Sequence, residues 1–241
     1  MGRALKVIRG TVAAAAGIYS GYVAVTYLRF RRESDRTGRN PLLDQLMPEY
    51  EIREHHAVSV SASADITLAA AREFSFHDSL IIRTIFALRE LPGRVLGASP
   101  APTVRRPVFD EVIALGWRQL AEISGRQVIM GAVTQPWRQE VHFHGLPAKE
   151  FITFREPGYA KIAWTIEVEP AGPSSSVFST ETRVVTTDPV SRERFRRYWA
   201  LLSPGILIIR YETLRLVRAG AERQSVGRSR ASRAPAIRPA P

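Results

Sequence analysis

Imidazole ligates metals and moves protons near neutral pH, and the chain carries five histidines. His142 and His144 stand two residues apart, so on a strand they would share a face and could both bind a metal. A third ligand would have to come from His55, His56, His77 or a carboxylate, and the spacing supplies none. Half-exposed strand histidines are the commoner outcome, and neither a metal nor a cofactor is expected. His55 and His56 are adjacent, so one strand points them to opposite faces and they cannot chelate together. Cysteine is absent, which excludes a disulfide scaffold, a thiolate zinc site and a cysteine nucleophile. No G-x-S-x-G, P-loop or G-x-G-x-x-G motif occurs, and no carboxylate pair stands out by spacing as acid and base.

The aromatic residues say more. Trp117, Trp137, Tyr159, Trp164, Phe178, Phe195 and Trp199 fall on elements that would face one another across a domain interior, with Thr182 and Leu202 beside them. Any one of them is more simply core filling. As a set they are candidate walls of a pocket for an apolar molecule. Pro136-Trp137 and Pro157-Gly158-Tyr159 read as turns that would form its mouth. Arg138 and Lys161 could meet an acidic head group, although solvated surface charge is the commoner fate. Glu181 and Arg183 share a strand face and read as an exposed pair worth little.

The elements that must hold these residues follow from periodicity. Residues 54–62 alternate as a half-buried strand. Ser63 or Asp65 caps a helix ending near Phe74, and a second helix spans about 78–91, stopped by Pro92-Gly93. Proline-rich residues 94–108 read as loop. Strands are expected at 117–123 and 127–133 around the Ser124-Gly125-Arg126 turn, then at 140–143, 151–154, 160–168 and 177–187. A long helix capped by Asp188 or Ser191 runs to about Glu222. Its apolar stripe is Phe195, Trp199, Leu202, Ile206, Ile209, Thr213 and Leu216, with a kink or break at Pro204-Gly205. Strand, two helices, antiparallel strands and a long closing helix make an α+β layout, a curved sheet gripping one helix.

The net charge of +11 lies in the flanks. Residues 1–39 and 223–241 carry all of it, and residues 40–222 are neutral, so no nucleic-acid partner is expected. Residues 11–28 contain no charge and would span ~27 Å as a helix, close to the ~30 Å hydrocarbon core. They read as a single membrane anchor within an N-terminal apolar helix, residues 1–32. A cleaved signal peptide and a buried helix are the other readings. More Lys and Arg follow the span than precede it, which favours a cytoplasmic C-terminal domain. Residues 33–48 read as a linker, 49–222 as the domain, and 223–241 as a disordered basic tail.

The segments LDQLMPEY at 43–50, GAVTQPW at 131–137, EPGYAKIAWT at 156–165, STETRVVTTD at 179–188 and RFRRYWALLSPGILIIR at 194–210 resemble an uncharacterised bacterial group of the SRPBCC superfamily. This is the START-like, helix-grip superfamily, and the resemblance covers about residues 42–222. It implies a helix-grip fold, with a curved antiparallel sheet wrapped around the long C-terminal helix and a cavity between them for an apolar ligand. It carries no catalytic assignment. The expected function is binding of an apolar small molecule or lipid there, without catalysis, by a membrane-tethered domain. The alternatives are a cyclase or dehydratase using Glu, His or Tyr in the same cavity, and a structural protein with a filled core.

Overall fold

The computed structural model describes residues 17–28, 40–85, 87 and 105–233. Residues 11–16 of the expected anchor and the last eight residues of the expected tail lie outside them. Residues 17–28 are helical (α1). There follow α2 (Pro41–Leu46), β1 (Ile52–Val60), α3 (Ala64–Glu73), a 3₁₀ turn at Phe76–Asp78 and a helical segment at 80–85 (α4). Next come α5 (Val108–Ala114), β2 (Arg118–Ile123), β3 (Gln127–Thr134), β4 (Phe143–His144) and α6 (Ala148–Thr153). The chain continues through β5 (Ala160–Gly172), β6 (Ser175–Thr186) and α7 (Pro189–Arg233).

The strands form one antiparallel sheet in the order β1-β6-β5-β3-β2, with β4 paired to the end of β3. Gly125, at φ +71°, makes the β2–β3 turn that a side chain with a Cβ would strain. Register follows the alternation of the sequence: Trp164 stands opposite Thr182 and Met130, and Thr182 opposite Glu54. The face bearing these residues is concave and receives α3, α5 and α7. The other face is covered by α2 and α6, which pack Leu43, Leu46, Met47 and Phe151 against Leu120, Ile129, Val133 and Ala163.

Several expectations change here. Residues 40–48, read as linker, belong to the folded domain. Asn40-Pro41 looks like a turn signal, but the Asn40 side chain accepts from Leu43 N at 3.0 Å and Pro41 opens α2, so the pair is a helix start. Leu43 and Leu46 are then buried, each worth about 2 kcal/mol relative to exposure. Residues 151–154, read as strand, lie mostly in α6. Pro147 precedes it in extended conformation, and Ala148, Lys149 and Glu150 favour a helix that sends Phe151 inward.

Covering that outer face also reverses the reading of Glu181 and Arg183. They are 3% and 1% exposed. Glu181 accepts from Arg53 at 2.9 and 3.1 Å and from Arg183 Nε at 2.8 Å. Arg183 Nη1 reaches Asp44 at 2.6 Å and the Met47 carbonyl at 3.0 Å, under the Tyr50 ring. Burial pushes the Glu181 carboxyl up, but hydrogen bonds from Arg53 and Arg183 outweigh it and hold it below its ordinary value. Lys161, on the same face, is also buried; its ammonium donates to the Ile152 carbonyl at the end of α6 at 3.1 Å.

α7 passes Pro204-Gly205 without a break and continues to Arg233, so residues 223–233 are its last turns. Gln224 and Arg228 bond Glu73 and Asp65 of α3, which extends the helix beyond the expected end near Glu222. α1 lies against the first half of α7. Tyr19 donates to the Leu201 carbonyl, Tyr22 lies 3.1 Å from Ser203 Oγ, and Tyr27 donates to Glu193 at 2.8 Å. Arg196 donates to the Tyr27 carbonyl and covers the Tyr27 ring. Among the described residues no helix is long and apolar enough to cross a membrane.

Candidate functional site

α7 sets the site by its phase. The side chains it turns toward sheet and helices are Phe195, Trp199, Ile206, Arg210, Leu214, Val217 and Ala221. The expected stripe ran instead through Leu202, Ile209 and Leu216. A repeat of 3.5 residues drifts by about 20° per heptad on a helix of 3.6 residues per turn. The drift takes the stripe off the buried face, and Leu202 is 39% exposed. The true face also contains a guanidinium, which a search for apolar residues passes over.

The interior of the grip has two closed ends. At one, Phe195 and Trp199 stack with centroids 6.0 Å apart and pack with Ile52, Ala160, Val184 and Trp137. At the other, Phe178 lies fully buried among Val60, Ile166 and Val168, the apolar face of α3 and the distal turns of α7. Trp117 packs against this end, with its ring 5.2 Å from Phe143.

Between the ends the concave surface is less covered. β5 is the middle strand, yet its inward residues Ile162 and Trp164 keep accessible surface. Its outward residues Lys161, Ala163 and Thr165 are buried. An inward side chain on a central strand stays accessible only where the opposing helix leaves a gap. Trp164 borders that gap with Phe109 of α5, 5.9 Å between ring centroids, and with Thr182 beside it on β6. Glu54 and His56 of β1 complete the row on the other side of Thr182 and Thr180.

Of the sequence-chosen residues, Trp117, Trp137, Trp164, Phe178, Thr182, Phe195 and Trp199 lie on the concave side. Tyr159 does not: it immediately precedes Ala160 and turns outward, edge-on to Phe154 at 5.5 Å. Leu202 is on the exposed side of α7. Phe109, His56 and Arg210 were missed. His56 lies on the inward face of β1, opposite Thr180, and a lone histidine in an alternating strand carries no chemical signal without its neighbours. His142 and His144 are both exposed, and no group of His, Asp and Glu among the described residues could hold a metal.

Polar residues cluster on β1 beside this stretch of the concave face. His56 Nε2 lies 3.4 Å from Glu54 Oε2 without hydrogen-bond geometry, and is buried with no hydrogen-bond partner among the described residues. Burial and the charge of Arg210 lower its pKa, against the opposing effect of Glu54. The His56 ring meets Tyr211 edge-on at 5.1 Å. The arrangement can hold an apolar body against Trp164, Phe109 and Ile162 and offer polar contacts along one side.

Strand order and closing helix together decide the architecture. This is a helix-grip fold. No protein-family model and no curated protein matches the chain. Similar solved structures include a START superfamily protein from Mycobacterium smegmatis, at 15% identity, covering 73% of this chain and 97% of that one, with a TM-score of 0.25. An aromatase/cyclase from Streptomyces is 13% identical over 72% of this chain and 94% of its own, with a TM-score of 0.26. Norcoclaurine synthase from Thalictrum flavum is 15% identical over 72% and 96%, with a TM-score of 0.25.

Proposed function

We propose that the domain binds an apolar small molecule or lipid between the concave sheet and α7. The observation that carries this is the accessibility of Ile162 and Trp164 on the central strand while both ends of the grip are closed. A protein with a filled core would bury these two most deeply of all. Native mass spectrometry of protein purified from its own cells tests the reading. A co-purifying apolar molecule, absent after Trp164→Ala and Phe109→Ala together, supports it. An empty protein that also excludes the neutral dye Nile red overturns it.

A second reading is an acid–base enzyme of cyclase or dehydratase type using the same space. The proximity of His56 and Glu54 favours it, since a neutral imidazole beside a carboxylate can accept and return a proton. A product differing in mass from the bound molecule, lost on His56→Phe, would select this reading over simple binding.

The proposal also includes membrane association through residues 11–28, with the domain on the cytoplasmic side. Residues 11–28 are uncharged, and in the docked state Ile18, Val25 and Leu28 are exposed, as are Leu201 and Leu202 on α7. Entry into a bilayer requires release of the Tyr19, Tyr22 and Tyr27 contacts. Full-length protein should stay in the membrane pellet after a carbonate wash, and a chain beginning at Asn40 should not. A soluble full-length protein would remove this part of the proposal.

A further inference from the structure

Arg210 projects from the inner face of α7 and is only 9% exposed. A buried guanidinium ordinarily has a carboxylate partner, because desolvating it alone is costly. Here none lies within ion-pair distance among the described residues. Nη1 reaches the Glu54 carbonyl at a long 3.5 Å, and Nε is buried with no hydrogen-bond partner. Desolvation lowers its pKa to about 10, against the through-space pull of Glu54. The Glu54 side chain is 28% exposed and does not neutralise Arg210 directly. His56 Nε2, also buried and without a hydrogen bond, belongs to β1 near Arg210 and two residues from Glu54 on the same strand face. Two polar side chains whose buried nitrogens lack partners thus lie close together between β1 and α7, on the concave side of the sheet.

We propose that Arg210 anchors a carboxylate carried by the otherwise apolar guest, with the His56 Nε2–H as second donor. This rests on the binding reading above and adds the chemical class of the ligand, an amphiphilic monocarboxylic acid. Arg fits the role because its planar edge receives both oxygens of a carboxylate. A single guanidinium matches a single negative charge. A dianionic phosphate would leave one charge uncompensated beside Glu54. The remainder of the acid would lie along Trp164, Phe109 and Ile162.

The test uses the full chain and three probes: Nile red, dodecanoate and dodecanol. Nile red fluorescence reports occupancy of the apolar space, and each competitor is titrated against it. Wild type should release Nile red at a dodecanoate concentration about tenfold or more below that of dodecanol, as expected for hydrogen bonds to a charged group. Arg210→Met should retain Nile red and lose that preference. Arg210→Lys, which keeps the charge without the fork, should keep part of it. A merely structural Arg210 would change the melting midpoint and leave the acid-to-alcohol ratio untouched. Equal competition by acid and alcohol in wild type overturns the inference and leaves apolar binding standing. Preference retained in Arg210→Met also overturns it. If Arg210→Met does not fold, an unchanged ratio in Arg210→Lys and His56→Phe overturns it instead. Failure of all three probes to bind wild type overturns both proposals.

Discussion

The Trp164 indole N–H donates to Thr180 Oγ1 at 2.9 Å across the β5–β6 pair. Thr180 is itself buried, so the bond fixes the plane of a ring whose remaining surface faces the open part of the grip. Thr180→Val keeps the shape and removes the acceptor. The expected cost is about 1–2 kcal/mol for an unpaired donor in a half-buried place, read from urea midpoints. Nile red affinity should fall with it, because the ring is no longer held. Unchanged stability and affinity would mean that the bond does not order the ring.

Trp199 and Trp164 should separate the closed end from the open one. Trp199 is 7% exposed and stacked on Phe195 in a filled cluster. Trp199→Ala is expected to cost about 3–5 kcal/mol, more than a cavity-lining residue would. Trp164→Ala already has vacant space on one side and loses fewer packing contacts. It should cost clearly less and weaken Nile red binding more. Equal costs would place both residues in one continuous core.

Lys161 makes stability rise with pH in the alkaline range. Burial, with Arg155 nearby, lowers its ammonium to about 8 from an ordinary 10.5. The unfolded chain therefore holds this proton between about 8 and 10.5 when the folded chain has released it. Stability rises through that window and is lowest below it. Lys161→Met should flatten the rise and stabilise the protein at pH 7 by no more than about 3 kcal/mol. The Ile152 carbonyl left without its donor reduces that gain. A wild-type profile that is flat from pH 8 to 10.5 would contradict this account.

Asp188 fastens the start of α7 to the turn before β5. Its carboxylate accepts from Val190 N and Ser191 N at 2.9 Å each, and from Gly158 N at 2.6 Å. Gly158 sits at φ +100°, which only glycine adopts freely. The hydrogen bond from Ser191 Oγ, then those from backbone N–H groups, hold the Asp188 carboxyl well below its usual range. Its contribution is present above an unfolded pKa near 3.9 and is lost as pH falls further. Asp188→Ala should cost about 1–2 kcal/mol at pH 7 and progressively less as pH falls below about 3.9. A penalty that persists undiminished in acid would show that the carboxylate charge is not what matters.

Much of this architecture is written locally. Alternation over 160–168 and 177–187 sets β5 and β6 with their faces already sorted, and Gly125 marks the hairpin between β2 and β3. The start of α7 follows from the Asp188 cap, whereas its end at Arg233 lies beyond the one that periodicity places near Glu222. What periodicity cannot say is which face another part of the chain will cover. Glu181 and Arg183 look like surface charges until α2, some 140 residues earlier, lies over them. Tyr159 and Trp164 look alike as aromatic residues near one strand, but β5 begins at Ala160, so Trp164 enters the grip and Tyr159, in the turn before it, packs outward on Phe154. Arg210 reads as the end of an apolar run. It becomes an interior charge because α7 turns 3.6 residues per turn, and the sheet it faces is brought there by residues far away in sequence. Local order is set by short-range sterics and hydrogen bonding, whereas burial and desolvation belong to pairs of surfaces that meet only when the whole chain has folded.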